Sequence, residues 1–344
     1  MSRPTRTARR LGPRSLACLA LVGLLTACSD QEPGAFAPRG TNAAEINWLF
    51  WVMVALGTAV FVLVMVLFAR SVRASRRRDD SEHDPLAPSD ATRSSRLVIG
   101  GGVVLPVVVL VPLTVMMLIV AERTSPHRAD DPLEIQVIGH QFWWEIHYPD
   151  TGAVTANEIH IPVDTRVRLQ MESSDVIHSV WAPQLSGKID MIPGQTTQLE
   201  FDATEVGEYW GYCAEFCGVQ HARMRFLVIA HEPDDFDAWL ANETADAPAP
   251  ETEAAERGAQ TFIDVGCAAC HTVRGTEADG DLGPDLTHLA TRRTLGAGTL
   301  PNERGHLGGW ITDPQATKPG NLMPPTPLSA QELLDLIDYL EGLE

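Results

Sequence analysis

Cys213-Ala214-Glu215-Phe216-Cys217-Gly218-Val219-Gln220-His221-Ala222-Arg223-Met224 puts two thiols, an imidazole and a thioether within twelve residues. A second imidazole, His178, lies upstream in Asp175-Val176-Ile177-His178-Ser179-Val180-Trp181. Thiolate and thioether ligands select soft metals: copper, zinc or an iron–sulfur cluster. Zinc would take two Cys and two His and leave Met224 without a role. A Cys213–Cys217 disulfide is compatible with an exported chain, but it uses neither the imidazoles nor the thioether. One Cys, two His and a Met would form a mononuclear copper site. The second Cys adds a second bridging thiolate, so two coppers could share both sulfurs and spread the charge change of electron transfer over two ions.

Around this stretch, from Leu133 to about His231, short alternating runs are separated by turn residues. Examples are Leu133-Glu134-Ile135-Gln136-Val137-Ile138, Val167-Arg168-Leu169-Gln170-Met171 and Thr197-Gln198-Leu199-Glu200-Phe201. Alternation with a period of two predicts antiparallel strands, and about 100 residues of it predict a small sandwich or barrel.

Upstream lie two uncharged apolar stretches, Ile46–Phe68 and Leu97–Ala121. Each exceeds the roughly 20 residues that cross about 30 Å of hydrocarbon. Arg70, Arg73, Arg76, Arg77 and Arg78 lie between them, which places that loop in the cytoplasm and everything after Ala121 outside. Pro106 and Pro112 fall inside the second span and are expected to kink it. The Arg-rich first residues, the apolar run Leu16–Leu25 and the tetrapeptide Leu25-Thr26-Ala27-Cys28 resemble a lipoprotein export signal. Cys28 is then the expected lipidation site, and Cys18 would leave with the signal.

Downstream, Glu243-Thr244-Ala245-Asp246-Ala247-Pro248-Ala249-Pro250-Glu251 has nothing to bury and reads as a semi-rigid linker. Beyond it, Cys267-Ala268-Ala269-Cys270-His271 is the c-type haem attachment motif, with two thioether cysteines and a proximal His. Met323, in Asn321-Leu322-Met323-Pro324-Pro325, is the one Met after Met224. It resembles the axial-Met loop of class I cytochromes c, and a Met/His pair raises the reduction potential. His288 and His306 are its rivals as sixth ligand. Helices are expected from Glu253 to Val265 and after the capping box Ser329-Ala330-Gln331-Glu332, the latter with Leu333, Ile337 and Leu340 on one face.

Charge divides along the same line. Residues 1–128 carry 15 Lys and Arg against 9 Asp and Glu; residues 129–344 carry 11 against 36. An acidic exported half argues against nucleic acid and favours a basic protein partner.

Taken together, Gly139-His140-Gln141-Phe142-Trp143-Trp144-Glu145, Asp175–Ser179, Gly187-Lys188-Ile189-Asp190-Met191-Ile192-Pro193-Gly194 and Cys213–Met224 resemble subunit II of the haem–copper cytochrome c oxidases, over roughly Ile46–His231. Glu256–Glu344 resembles a class I cytochrome c, and this order matches caa3-type oxidases. The resemblance implies a membrane-anchored multidomain chain: two transmembrane α-helices, an all-β cupredoxin domain and a small all-α cytochrome c domain. It divides the chain into a signal peptide at 1–27, a tether at 28–45, spans at 46–70 and 96–121 around a cytoplasmic loop at 71–95, a cupredoxin domain at 130–242, a linker at 243–255 and a cytochrome domain at 256–344. It implies that His178, Cys213, the carbonyl of Glu215, Cys217, His221 and Met224 hold dinuclear copper (CuA), and that the Glu215 side chain reaches a magnesium ion shared with subunit I. Cys267, Cys270, His271 and Met323 would hold haem c.

Electrons would pass from an external donor, a cytochrome c, through haem c and CuA to subunit I, where oxygen is reduced and protons are pumped. Phe142 stands where the family pattern has an electron-accepting Trp, so this chain departs from the family's usual entry route; Phe142, Trp143 and Trp144 are the candidate electron path. Ile99 stands where a Glu often marks the mouth of a proton channel, which moves proton uptake to another group. A nitric oxide reductase with a CuA subunit would use the same carriers. A copper-handling protein would need no haem, and a quinol oxidase subunit II would lack the copper ligands.

Overall fold

The computed structural model describes residues 34–76, 91–126 and 131–344. Cys18, Cys28, the N-terminal arginines and the loop residues Arg77 and Arg78 lie outside the described residues.

Helix α1 spans Thr41–Arg76. At 1.5 Å per residue it is about 54 Å long, beyond the roughly 30 Å of a bilayer core. Its first turn is held by the exported domain: Asp202 Oδ1 accepts from the Thr41 backbone N–H and from Thr41 Oγ1, both at 2.8 Å. A carboxylate at a helix N-terminus satisfies otherwise orphaned donors and opposes the helix dipole. Asn42 Nδ2 donates to Glu200 O at 2.6 Å, so the helix leaves the domain at a set point.

The second membrane run is helical from Ala91 to Arg123 but not uniform. Helix α2 (Ala91–Ile99) gives way to a π turn at Gly100–Val104 and then to α3 (Leu105–Arg123). The Leu105 N–H reaches back to Gly100 O, one residue further than in an α-helix. Pro106 lacks an N–H to continue the α-helical ladder, and three consecutive glycines tolerate the wider turn. Pro112 sits within α3, which remains one helix. Arg123 Nη1 and Glu45 Oε1, 2.9 Å apart, join the two runs. Side chains such as Phe61, Phe68, Val108 and Leu118 are largely exposed, as befits surfaces that meet lipid or other apolar helices.

Ten strands follow: β1 Leu133–His140, β2 Trp143–Tyr148, β3 Ala153–Ala156, β4 Glu158–Pro162, β5 Val167–Ser173, β6 His178–Trp181, β7 Ile189–Met191, β8 Thr197–Phe201, β9 Gly207–Cys213 and β10 Arg225–His231. They form two five-stranded sheets, in the orders β3-β2-β1-β5-β8 and β4-β10-β9-β6-β7. The expectation of antiparallel pairing needs a correction, because β1 pairs with β5 and β10 with β4 in parallel. Alternation reports one buried face, not strand direction. Ile135, Val137, Trp144, Ile146, Leu169, Met171, Phe226 and Val228 fill the space between the sheets. Helix α4, Pro233–Glu243, lays Phe236 and Trp239 against Tyr148 and His160; the Trp239 and His160 rings stack at 3.9 Å.

The C-terminal domain crosses α5 (Glu253–Asp264) with α8 (Ala330–Glu341) and adds α6 (Arg304–Thr312) and α7 (Pro314–Thr317). One two-stranded ribbon, β11 (Thr294–Leu295) with β12 (Leu300–Pro301), departs from an all-α plan. The capping box forms as expected, with the Glu332 N–H donating to Ser329 Oγ and the Ser329 N–H to Glu332 Oε2. Ile337 and Leu340 are buried, and Leu333 packs at the edge of the core.

The two helices cross closely because residue 258 is glycine: a Cβ there would lie 2.0 Å from Asp335 O. Gly258→Val is therefore expected to cost the domain about 3 kcal/mol, the upper end of the usual range for overpacking. Chemical denaturation followed through the haem domain would show it, and an unchanged midpoint would mean that the helices part freely.

The segment 243–255, read as a semi-rigid linker, is fastened to the C-terminal domain. Arg274 donates to Glu243 O and, at 3.1 Å, to Ala245 O. The Ala247 N–H donates to Arg274 O at 3.0 Å, and the Ala247 side chain packs on the C-terminal core.

Candidate functional site

The 213–224 loop joins β9 to β10, and His178 opens β6 beside them. Cys213 Sγ lies 3.7 Å from Cys217 Sγ and 3.8 Å from His178 Nδ1. Cys217 Sγ lies 3.8 Å from His221 Nδ1 and 3.7 Å from Met224 Sδ. The carbonyl oxygen of Glu215 lies 3.2 Å from Cys213 Sγ. Every residue singled out from the sequence for this centre is thus within one chain of donor atoms. His178, Cys213, Cys217 and Met224 are buried.

The donor set calls for cations. Cys217 beside it holds the Cys213 thiol down to about 4, with His178 adding to the effect and burial opposing it. Cys217 is pushed far up, first by that partner thiolate and then by burial. Two thiolates at this spacing are stable together only with positive charge between them. His178 presents Nδ1 to the sulfurs because its Nε2 is held 2.8 Å from Asp175 Oδ1. Asp175 is a positioning group that the sequence displays without marking; its signal is its place three residues before a ligand-type His.

The Glu215 side chain is half exposed, and Lys188 Nζ stands 3.9 Å from its carboxylate. Of the aromatic trio, Trp144 is buried edge-on to His178 at 5.8 Å, and Trp143 stacks on His140 at 4.4 Å. Phe142 is buried, not presented to solvent.

In the C-terminal domain, Cys267 and Cys270 carry free thiols three residues apart across a short 3-10 turn. His271 Nδ1 lies 2.7 Å from Pro284 O, which leaves Nε2 as the outward nitrogen. Burial pushes the His271 pKa below its ordinary value, so the ring is neutral, the form that binds iron. Residue 283 is glycine where a Cβ would lie 2.6 Å from His271 Cε1. Met323 sits in a braced loop: its N–H donates to Asn321 Oδ1 at 2.8 Å, and its carbonyl accepts from Gln315 Nε2 at 3.0 Å. The rival His288 is buried with its ring nitrogens 2.7 Å from Glu344 O and 3.1 Å from Ala245 O, so neither is free for a metal. His306 is a surface residue near Glu303. A cavity of about 660 Å³ opens between α6 and α8 and includes none of the haem-motif residues.

The two domains meet at the copper-type loop. Gln220 Nε2 donates to Pro319 O at 2.8 Å, and Arg223 donates to Thr317 O. Lys318 Nζ donates at 2.8 Å to Phe142 O and at 2.8 Å to Gly296 O. Burial pushes Lys318 down to about 7; a neutral amine keeps two N–H groups, enough for both carbonyls. Sequence reasoning missed Lys318. Its signal was that the chain has 24 arginines and only two lysines, Lys188 and Lys318.

An anchored two-sheet cupredoxin joined to a CxxCH helical domain defines a class: membrane-bound electron carriers with a sulfur-rich metal site and a c-type haem site. The family described as cytochrome c oxidase subunit II, periplasmic domain, matches residues 153–231, and the cytochrome c family matches 255–344. The chain is 34% identical over 348 residues to cytochrome c oxidase subunit 2 of Alkalihalophilus pseudofirmus, covering 98% of each. It is 33% identical over 257 residues to the subunit 2 of Bacillus subtilis, covering 70% of this chain and 72% of that one. The crystal structure of the periplasmic domain of subunit II of the Bradyrhizobium japonicum cytochrome oxidase aligns with a TM-score of 0.32 at 31% identity, over 34% of this chain and 94% of that one. The chain belongs to the cytochrome c oxidase subunit 2 family, in the form that carries a C-terminal cytochrome c domain. It is a subunit of an oxidoreductase, and its two family domains imply copper and haem.

Proposed function

We propose that this chain is the electron-input subunit of an aerobic terminal oxidase, passing electrons from an external donor through haem c and CuA to subunit I, where oxygen is reduced and protons are pumped. One observation carries the reading. Five soft or imidazole donors converge at 3.7–3.8 Å, with His178, Cys213, Cys217 and Met224 buried, and the loop that carries all but His178 is hydrogen-bonded to the segment leading to Met323.

His178, Cys213, Glu215 O, Cys217, His221 and Met224 would hold the copper pair, and Cys267, Cys270, His271 and Met323 would hold the haem. When bound, these groups supply reversible one-electron transfer. Asp175 and the Pro284 carbonyl fix His178 and His271, and the burial of Cys213 and Cys217 keeps water from the sulfurs. Fixed ligands lower the reorganisation that accompanies each electron. Glu215, half exposed beside Lys188, is our candidate magnesium ligand toward subunit I. With α1 and the α2–α3 run in the cytoplasmic membrane, both centres lie on its outer face, Cys28 would add a lipid anchor, and the donor would be a cytochrome c.

Electron paramagnetic resonance and optical spectra of the purified, metal-loaded subunit test the reading. Hyperfine structure from two equivalent coppers together with low-spin haem c is expected. A single-copper or copper-free spectrum from a haem-loaded, folded chain would overturn it.

A further inference from the structure

Thr317, Lys318 and Pro319 run directly along the copper-type loop. The carbonyls of Thr317 and Pro319 accept from Arg223 and Gln220, which flank His221. Between them Lys318 turns inward and is 1% exposed. Its Nζ joins Phe142 O of the cupredoxin domain to Gly296 O of the cytochrome domain, each at 2.8 Å. The same segment continues through Asn321 to Met323. Further contacts widen the seam: the Arg225 N–H donates to Ala297 O at 3.1 Å, the Arg293 N–H to Glu158 Oε1 at 2.7 Å, and Arg293 Nε to Glu208 Oε1 at 3.0 Å.

We propose that Lys318 is a latch that holds the cytochrome domain on the copper loop in a single electron-transferring pose, so that internal transfer needs no docking step. This rests on the two-carrier reading above. The physical case is the accounting of buried polar groups. Two backbone carbonyls from different domains end at one amine, and among the described residues no carboxylate is ion-paired with that amine. Parting the domains would leave both carbonyls without this donor until water replaced it. A guanidinium is larger, planar and permanently charged, and would not fill the same slot. Phe142 keeps its side chain in the cupredoxin core and turns its carbonyl to the cytochrome domain, where Lys318 meets it.

Flash reduction of haem c in the whole purified oxidase, followed by the appearance of reduced copper, tests the proposal. In the unaltered complex the rate is expected to be independent of added viscogen. It should also be independent of salt from about 0.01 to 1 M, a range over which the screening length falls from about 30 to about 3 Å. Lys318→Met is expected to slow the step by about 10- to 100-fold, the range that loss of about 1 Å of positioning produces. The step should also become viscosity-dependent, with haem and copper spectra unchanged.

An unchanged rate in Lys318→Met, or a viscosity-limited rate in the unaltered complex, would overturn the latch. If Lys318→Met does not assemble, the viscosity and salt dependence of the unaltered complex decides by itself. Complete absence of transfer from haem c to copper in the unaltered complex would instead overturn the two-carrier reading.

Discussion

Replacing Cys217 with serine is expected to abolish the dinuclear copper signal and to cut electron transfer through the subunit by at least about 100-fold. Changes to outer-shell partners alone cost metal sites 10- to 100-fold, and this change removes a donor that faces three others. Cys217 Sγ lies within 3.8 Å of Cys213, His221 and Met224, so its loss leaves no bridge between the two halves of the donor set. A hydroxyl is a poor ligand for a soft metal. Haem attachment should be untouched, because Cys267 packs against a second hydrophobic core, apart from the one that holds Cys213 and Cys217. Metal binding that favours the folded state also stabilises it, by about 4 kcal/mol when free metal exceeds the dissociation constant 1,000-fold. The copper-loaded unaltered chain should therefore melt above its metal-free form, while Cys217→Ser, left with one Cys, two His and a Met for at most a single copper, should lose most of that rise. A variant that kept both the dinuclear signal and its copper-dependent melting would remove Cys217 from the site.

Met323→Ala has the second large expected effect, and it acts on potential rather than on assembly. The haem should stay covalently attached through Cys267 and Cys270. Loss of the thioether should lower its reduction potential by about 0.2 V, within the roughly 0.8 V that axial ligands span. At about 59 mV per tenfold for one electron, that shift changes the equilibrium between haem and copper by more than about 1,000-fold. Potentiometric titration of the haem band gives the shift, and turnover with an external cytochrome c gives its consequence. Turnover at the unaltered rate would show that electrons reach copper without passing the haem, against the electron path proposed above. An unaltered potential would return the sixth position to another residue, although His288, with both ring nitrogens engaged, is already excluded on geometry.

Much of the site was legible because its chemistry is local. Cys213, Cys217, His221 and Met224 share one loop between two strands, so spacing alone brings them together once β9 and β10 pair. The CxxCH motif is a single turn, and the capping box at Ser329 is a contact between residues three apart. His178 was a candidate by residue type, but 35 residues separate it from Cys213, and the pairing of β6 with β9 closes that gap. The membrane runs were legible from length and apolarity, but the π turn at Gly100–Val104 came from how a triple glycine absorbs the N–H missing at Pro106.

Composition and periodicity, by themselves, determined the anchor, the alternating strands, the copper-type loop and the haem motif, because each rests on residues close in sequence. Only the tertiary structure decided how the parts face one another. It set the parallel pairings of β1 with β5 and β10 with β4, the crossing at Gly258, the fastening of the 243–255 segment and the insertion of Lys318 between Phe142 and Gly296. These depend on which backbone carbonyls and side-chain surfaces meet across separations from 22 to 176 residues, and a pattern of periods and motifs carries no information about such meetings.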